Sequence, residues 1–182
     1  MKALIKQNAF IRFICIAGSL YLLLFLLYQF IVKEYTYYDQ KFISSIILCA
    51  EFLVNLFGVK TFIRLQNIDM QLIGIDGSNG VWIGSNCNGI TLFTLFAVFI
   101  FAYPGNQKHK FWFIPLGIIS IHFLNILRVI ALLFIGKNFP PEYLSFNHTY
   151  TFTFLIYLFI FWLWMIWINK FSEPKRINSN EN

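Results

Sequence analysis

The sequence FWFIPLGIISIHFLNILRVIALLFI occupies residues 111–135. A helix crosses a bilayer core of about 30 Å with roughly 20 apolar residues, and this run is longer than that. Its costliest residues for a lipid environment are His122, Asn125 and Arg128, which recur at intervals of three and so lie along one helix face. We therefore predict a transmembrane helix that carries a polar stripe.

The composition of the whole chain extends this prediction. Of the 182 residues, 58% are hydrophobic and only 12% are charged, whereas soluble domains have about 25% charged residues. Soluble, disordered, collagen-like and coiled-coil classes are excluded, and three scattered cysteines do not provide a disulfide framework. The net charge of +6 comes from basic residues spread between apolar runs, so nucleic-acid binding is not expected. We expect an integral membrane protein in the lipid bilayer.

Other apolar segments complete a predicted helix bundle. They are residues 13–32, 42–58, 87–103 and 149–169. The segment 42–58 is weak, because it is short and carries Ser44, Glu51 and Asn55 along one stripe, so it either spans or lies at the interface. The predicted fold class is all-α, a polytopic transmembrane helix bundle of four to five spans within one membrane domain (1–171). A flexible polar tail (172–182) follows it.

Residues 60–86 form the one sizeable polar stretch between these segments. Residues 70–75 and 81–85 alternate loosely around the turn sequence DGSNG at 76–80, which predicts a small β-hairpin. An open strand edge is not tolerated in lipid. We expect this hairpin loop in water or at the membrane surface.

The positions of the basic residues predict the orientation of the bundle. If all five segments span, the two sides carry six and seven of the basic residues outside Arg128, which favours neither orientation. If 42–58 does not span, eight basic residues lie on the side of the termini and five on the side of the hairpin. This asymmetry favours cytoplasmic termini and an extracytoplasmic hairpin in a multi-pass protein of the cytoplasmic membrane.

Three residue types with complementary chemistry are predicted on the hairpin side. Ser85 and Asn86 are good N-caps, so Cys87 is expected in the first turn of its helix, where a thiolate is favoured. Because consecutive spans alternate in direction, Cys87, Arg128 and His148 all lie toward the same membrane face. A cysteine nucleophile, a histidine base and a cation for an oxyanion are the components of acyl transfer.

Each of these residues also has a simpler interpretation. An isolated cysteine is more often a small buried hydrophobe, a histidine beside a span is often an interfacial residue, and an arginine can extend its head group to the interface. Cys15 and Cys49 fit the first description. The shared face of the three candidate residues favours the functional interpretation.

The motifs resemble those of the exosortase/archaeosortase family. Cys87-Asn88-Gly89 opens a span, Asn125-Ile126-Leu127-Arg128 lies within the next span, and His148 precedes the last one. The resemblance covers roughly residues 60–170. It implies a membrane-embedded thiol protease and transpeptidase in protein sorting, a hydrolase that cleaves exported proteins at a C-terminal tail of motif, hydrophobic helix and basic cluster. Larger members have more spans, so this chain resembles a reduced form.

The resemblance also implies residue roles. Cys87 would be the nucleophile, His148 the base and then the acid, and Arg128 the group that stabilises the tetrahedral intermediate or orients the carbonyl. Asn125 would hold Arg128, and Asn88 and Gly89 would support the cysteine. His122 has no assigned counterpart, and no cofactor is expected.

Two other classes of function stay open on the sequence. In a small transporter or channel, His122, Asn125 and Arg128 would line an ion path. In an assembly subunit, Arg128 would pair with an acidic residue of a partner. A metal or haem site is less favoured, because His109, His122 and His148 lie at different depths without a second ligand one turn away.

Overall fold

The computed structural model describes residues 2–28, 30, 36–67, 70–84 and 87–172. Its helices are α1 (Lys2–Leu27), α2 (Thr36–Leu56), α3 (Ile90–Ala102), α4 (Gln107–Asn138), α5 (Pro141–Phe146) and α6 (Phe152–Lys170). A π-helical turn, Asn147–Thr151, joins α5 to α6. The strands are β1 (Thr61–Asn67), β2 (Met70–Ile75) and β3 (Val81–Gly84). The predicted tail beyond residue 172 lies outside the described residues.

Among the residues that the structure describes, two helical segments are long and apolar enough to cross a membrane. They are Gln107–Asn138, of 32 residues, and Pro141–Lys170, of 30 residues. They contain the predicted spans 111–135 and 149–169 and extend beyond them. Ile11–Leu27 and Ile90–Ala102 are shorter apolar helices, so the predicted number of four to five spans stays a prediction.

The start of α3 corrects one prediction. The helix begins at Ile90 and its N-cap is Gly89, so Cys87 lies in the connection before the helix and not in its first turn. The predicted caps Ser85 and Asn86 lie outside the described residues. The helix-terminus argument for a thiolate at Cys87 therefore loses its structural basis.

The polar loop folds into a three-stranded antiparallel sheet in the order β1-β2-β3. The predicted hairpin is confirmed by β2 and β3, whose pairing includes Leu72 with Trp82. Gly77 and Gly80 in the turn have φ of 83° and 76°, which glycine adopts without steric cost. The strand β1 was not predicted, and it extends the hairpin by pairing with β2 from Thr61–Ile75 onward.

The polar stripe of α2 bonds to this sheet. The Gln71 side-chain amide donates a 2.6 Å hydrogen bond to Ser44 Oγ, and the Thr61 hydroxyl donates to Asn55 Oδ1 at 3.2 Å. The polar stripe that weakened the prediction that segment 42–58 spans the membrane is therefore the part of α2 that hydrogen-bonds to the sheet. Phe52 and other apolar residues of α2 are exposed.

The buried side chains of the described residues form two clusters. One joins the inner face of the sheet to α2 and α4 and includes Ile73, Val129 and Cys87. The other joins α3, α4 and α6 around Phe96 and Trp167. The candidate cysteine therefore belongs to the sheet end of the molecule, where the packed strands fix its position.

Candidate active site

A thiol and an imidazole meet at the sheet end of the bundle. Cys87 Sγ lies 3.2 Å from His148 Nε2, although the two residues are 61 positions apart in the chain. Cys87 comes from the connection between β3 and α3, and His148 comes from the π-helical turn before α6. Cys87 is only 8% exposed. The contact is within hydrogen-bond distance for sulfur, so Nε2 is placed to accept the thiol proton when it is not itself protonated.

The two residues after the cysteine shape this connection. Asn88 Oδ1 accepts a 2.9 Å hydrogen bond from the Ile90 backbone N–H, which satisfies a donor at the start of α3. Asn88 Nδ2 donates to the Tyr28 hydroxyl at 3.1 Å. Gly89 has φ of 82°, in a region that favours glycine. The Cys-Asn-Gly motif thus combines a thiol, a helix cap and a turn.

Asn125 anchors the backbone of the cysteine. Its Nδ2 donates a 2.8 Å hydrogen bond to the Cys87 carbonyl oxygen, and the side chain is only 1% exposed. Asn125 Oδ1 and Arg128 Nε are both buried without a hydrogen-bond partner in the described part of the chain. The expected hydrogen bond between Asn125 and Arg128 is therefore not formed. The prediction that Asn125 holds Arg128 is therefore corrected: Asn125 holds Cys87.

Arg128 bonds to the histidine segment. Its Nη2 donates to the backbone carbonyl of His148 at 3.2 Å, and the side chain is half-buried. A guanidinium has five N–H donors in a rigid fork. This hydrogen bond uses one of them and places a permanent positive charge beside the Cys87–His148 pair.

His148 lies in the π-helical turn that joins α5 to α6. Asn147 Nδ2 donates to the Tyr143 carbonyl at 2.8 Å, which bonds the turn to α5. Such turns inside helices are rare and occur frequently at functional sites. The sequence did not indicate this turn, nor did it indicate Tyr28, which belongs to an otherwise apolar run far from the motifs.

His122 packs between aromatic rings. Its ring centroid is 5.3 Å from that of Phe42 and 6.2 Å from that of Phe93. Its Nδ1 is buried, with no hydrogen bond to any residue that the structure describes. His122 therefore joins α2, α3 and α4 by packing.

The described residues thus define a class: a mostly helical chain with two membrane-capable helices, a Cys–His pair, an anchoring asparagine and an adjacent arginine. Residues 12–168 match the family model for the transmembrane exosortase (Exosortase_EpsH). The match covers most of the chain, so the chain belongs to the exosortase family, as its motifs predicted. Neither the curated proteins nor the solved structures include a match to the chain.

Proposed function

We propose that this chain is a membrane-embedded cysteine protease-transpeptidase that processes the C-terminal sorting tails of exported proteins. The supporting observation is the 3.2 Å approach of Cys87 Sγ to His148 Nε2. Membership of the exosortase family, whose members are generally cysteine peptidases and transpeptidases, supports this reaction class. Nucleophile and base within hydrogen-bond reach are the signature of covalent catalysis by cysteine.

Acylation is the first step of the proposed reaction. His148 Nε2 accepts the proton of the Cys87 thiol as sulfur attacks the carbonyl carbon of the substrate. A carbon–sulfur bond forms, and the carbonyl oxygen becomes an oxyanion near the Arg128 guanidinium. The carbon–nitrogen bond then breaks, the amine of the released tail takes the proton from His148, and a thioester is left on Cys87.

Deacylation completes the cycle. An amine or water attacks the thioester carbonyl and gives its proton to His148. The carbon–sulfur bond breaks, and the thiolate recovers the proton. With an amine acceptor the product is a new amide, and with water it is a free carboxylate, so the same residues support transpeptidation and hydrolysis.

The proposed partners are exported proteins with a hydrophobic helix and a basic cluster at the C-terminus. The basic-residue asymmetry supports an extracytoplasmic active site, at the outer face of the cytoplasmic membrane. The rival transport function gains no support from the contacts of its stripe. His122 packs between Phe42 and Phe93, and Asn125 bonds to the Cys87 carbonyl.

The test is processing in the native host. Exported proteins encoded in the same genome with the motif–helix–basic tail are followed for loss of that tail. Cys87→Ser and Cys87→Ala should both abolish processing, while Cys15→Ser and Cys49→Ser serve as matched controls and should not. Normal processing in both Cys87 variants would refute the proposal.

A further inference from the structure

The outer edge of β3 has no pairing strand among the residues that the structure describes. The sheet order β1-β2-β3 leaves β3 at one edge. Within residues 2–28, 30, 36–67, 70–84 and 87–172, β3 pairs with β2 alone, and no backbone hydrogen bond joins its outer edge to another element. Such an edge presents unpaired N–H and C=O groups that another extended chain can bond.

The two edges of the sheet differ in how they are protected. The β1 strand carries the charged, exposed Arg64 and an irregular register between Leu65 and Asn67, and both features discourage pairing with a further strand. The β3 sequence, Val-Trp-Ile-Gly, has no charge and no proline, and its register with β2 is regular. Among the described residues, the edge of β3 therefore lacks the protective features that the edge of β1 has.

The edge of β3 and the thiol are close along the chain. Cys87 follows Gly84 by three residues, and an extended chain covers at most about 3.5 Å per residue. The Cα atoms of Gly84 and Cys87 are therefore within about 11 Å of each other. Val81, Ile83 and Cys87 belong to one buried cluster, so packing fixes the strand relative to the thiol.

The approach to the edge from α5 is apolar. Side-chain atoms of Val81 and Leu144 both lie within 4 Å of the position that a Cβ on Gly136 would take. The helix α5 has no buried residues and no backbone hydrogen bond to β3 among the residues described. Main-chain groups of an added strand would therefore not compete with an existing bond from α5.

We propose that the outer edge of β3 is a substrate-binding subsite. An extended segment of the substrate pairs with β3 as a fourth strand, which delivers its scissile carbonyl to Cys87. This inference rests on the function proposed above and names the binding mode. Strand addition derives affinity from main-chain hydrogen bonds and specificity from alternate side chains. Trp82 is 41% exposed and would lie next to the alternate side chains on one face of the added strand.

Backbone-modified probes test this pairing without a known substrate. The probes are degenerate tetrapeptides ending in a vinyl sulfone and twins N-methylated at alternate amides. The Cys87 sulfur adds to the vinyl carbon, and the thiol proton is transferred to the adjacent carbon. Unmodified peptides should label Cys87 in the purified full chain at least tenfold faster than the N-methylated twins. Equal rates would overturn the inference.

A small probe separates this inference from the proposed function. Methyl vinyl sulfone has no backbone to pair, so its reaction reports the thiol alone. His148-dependent labelling of Cys87 by this probe, together with equal rates for the two peptide sets, refutes the edge subsite and leaves the proposed function standing. Labelling that does not depend on His148 refutes the function and the subsite together.

Photo-cross-linking locates the added strand. In the Cys87→Ala chain, p-benzoylphenylalanine replaces Trp82 or, as the matched control, Arg64, which is in the same cross-strand row on β1. With about 4.8 Å between strands, an added strand lies next to Trp82 and about 14 Å from Arg64. Peptide should cross-link at position 82 and not at 64. Cross-links equal at both positions, or only between two copies of the chain, would overturn the inference.

Discussion

The side-chain amide of Asn125 donates a 2.8 Å hydrogen bond to the carbonyl oxygen of Cys87. Asn125 is almost completely buried, so water cannot replace this bond. The helix α4 therefore fixes the backbone that carries the thiol, while the adjacent Arg128 fixes the backbone that carries the imidazole. One helix thus sets the separation of Cys87 and His148 through two main-chain carbonyls.

Asn125→Leu should weaken both stability and thiol reactivity. Leucine has a similar volume but no donor, so the Cys87 carbonyl loses its partner at a cost of about 1–3 kcal/mol. We expect a lower melting temperature in detergent and slower alkylation of Cys87. The control is Asn138→Leu, because Asn138 bonds to Phe134 on the exposed part of the same helix. Wild-type alkylation in Asn125→Leu would refute an anchoring role.

Gly89→Ala should disturb the site more than its backbone strain alone explains. Gly89 has φ of 82°, and a Cβ there would lie 3.4 Å from Asn125 Nδ2, against the anchoring bond. Gly58→Ala is the matched control, since Gly58 has φ of 75° with no atom within 4 Å. Both changes should cost about 1–3 kcal/mol, but Gly89→Ala alone should slow Cys87 alkylation. Equal alkylation rates in the two variants would contradict this account.

Arg128→Lys should not restore function, although the charge is kept. The guanidinium donates to the His148 carbonyl through one arm and has further donors for an oxyanion, whereas an ammonium lacks this rigid fork. Loss of one oxyanion donor costs about 10²–10³ in rate. Processing of a tailed substrate measures the effect, and Arg12→Lys, at an exposed position of α1, is the control. Near-normal processing in Arg128→Lys would show that only the positive charge of Arg128 matters, and not its hydrogen-bond geometry.

The orientation is tested at the hairpin turn. Asn79 is exposed between Gly77 and Gly80, so Asn79→Cys in a background without other cysteines should react with an impermeant maleimide on intact cells. Lys108→Cys, at the opposite end of α4 from the site, should react only after lysis. The reverse pattern would place the candidate active site in the cytoplasm.

Sequence reasoning predicted the juxtaposition of Cys87, Arg128 and His148 because alternating spans bring their ends to one face. It did not predict their contacts. Helical spacing puts Asn125 and Arg128 on one face of α4. Their hydrogen-bond partners, however, depend on which backbone carbonyls lie nearby, and Asn125 bonds to that of Cys87. The start of α3 was misplaced because a left-handed glycine, Gly89, replaced the expected polar cap.

The sheet was predicted in part for similar reasons. The turn at residues 76–80 has a strong local signal, so β2 and β3 were expected. The strand β1 has no turn signal of its own and depends on pairing with β2 and on contacts such as Thr61 with Asn55. Tertiary pairing of this kind is not encoded in local periodicity. The contact of Tyr28 with Asn88 was missed for the same reason.

The relative reactivity of the three cysteines distinguishes activation of the Cys87 thiol by His148 from simple exposure to the reagent. Cys15 and Cys49, which the sequence suggested as buried hydrophobes, are exposed, whereas Cys87 is buried. Exposed surface alone therefore predicts that Cys87 reacts most slowly with iodoacetamide. If His148 accepts the thiol proton, Cys87 should react fastest, and His148→Ala should slow it by about 10²–10⁴-fold, the usual contribution of a general base. Mass spectrometry of the purified protein follows all three cysteines in one sample, and Cys15 and Cys49 are internal controls that His148→Ala should not change. Slow alkylation of Cys87 in the wild type that His148→Ala leaves unaltered would show that the 3.2 Å contact is packing and not activation.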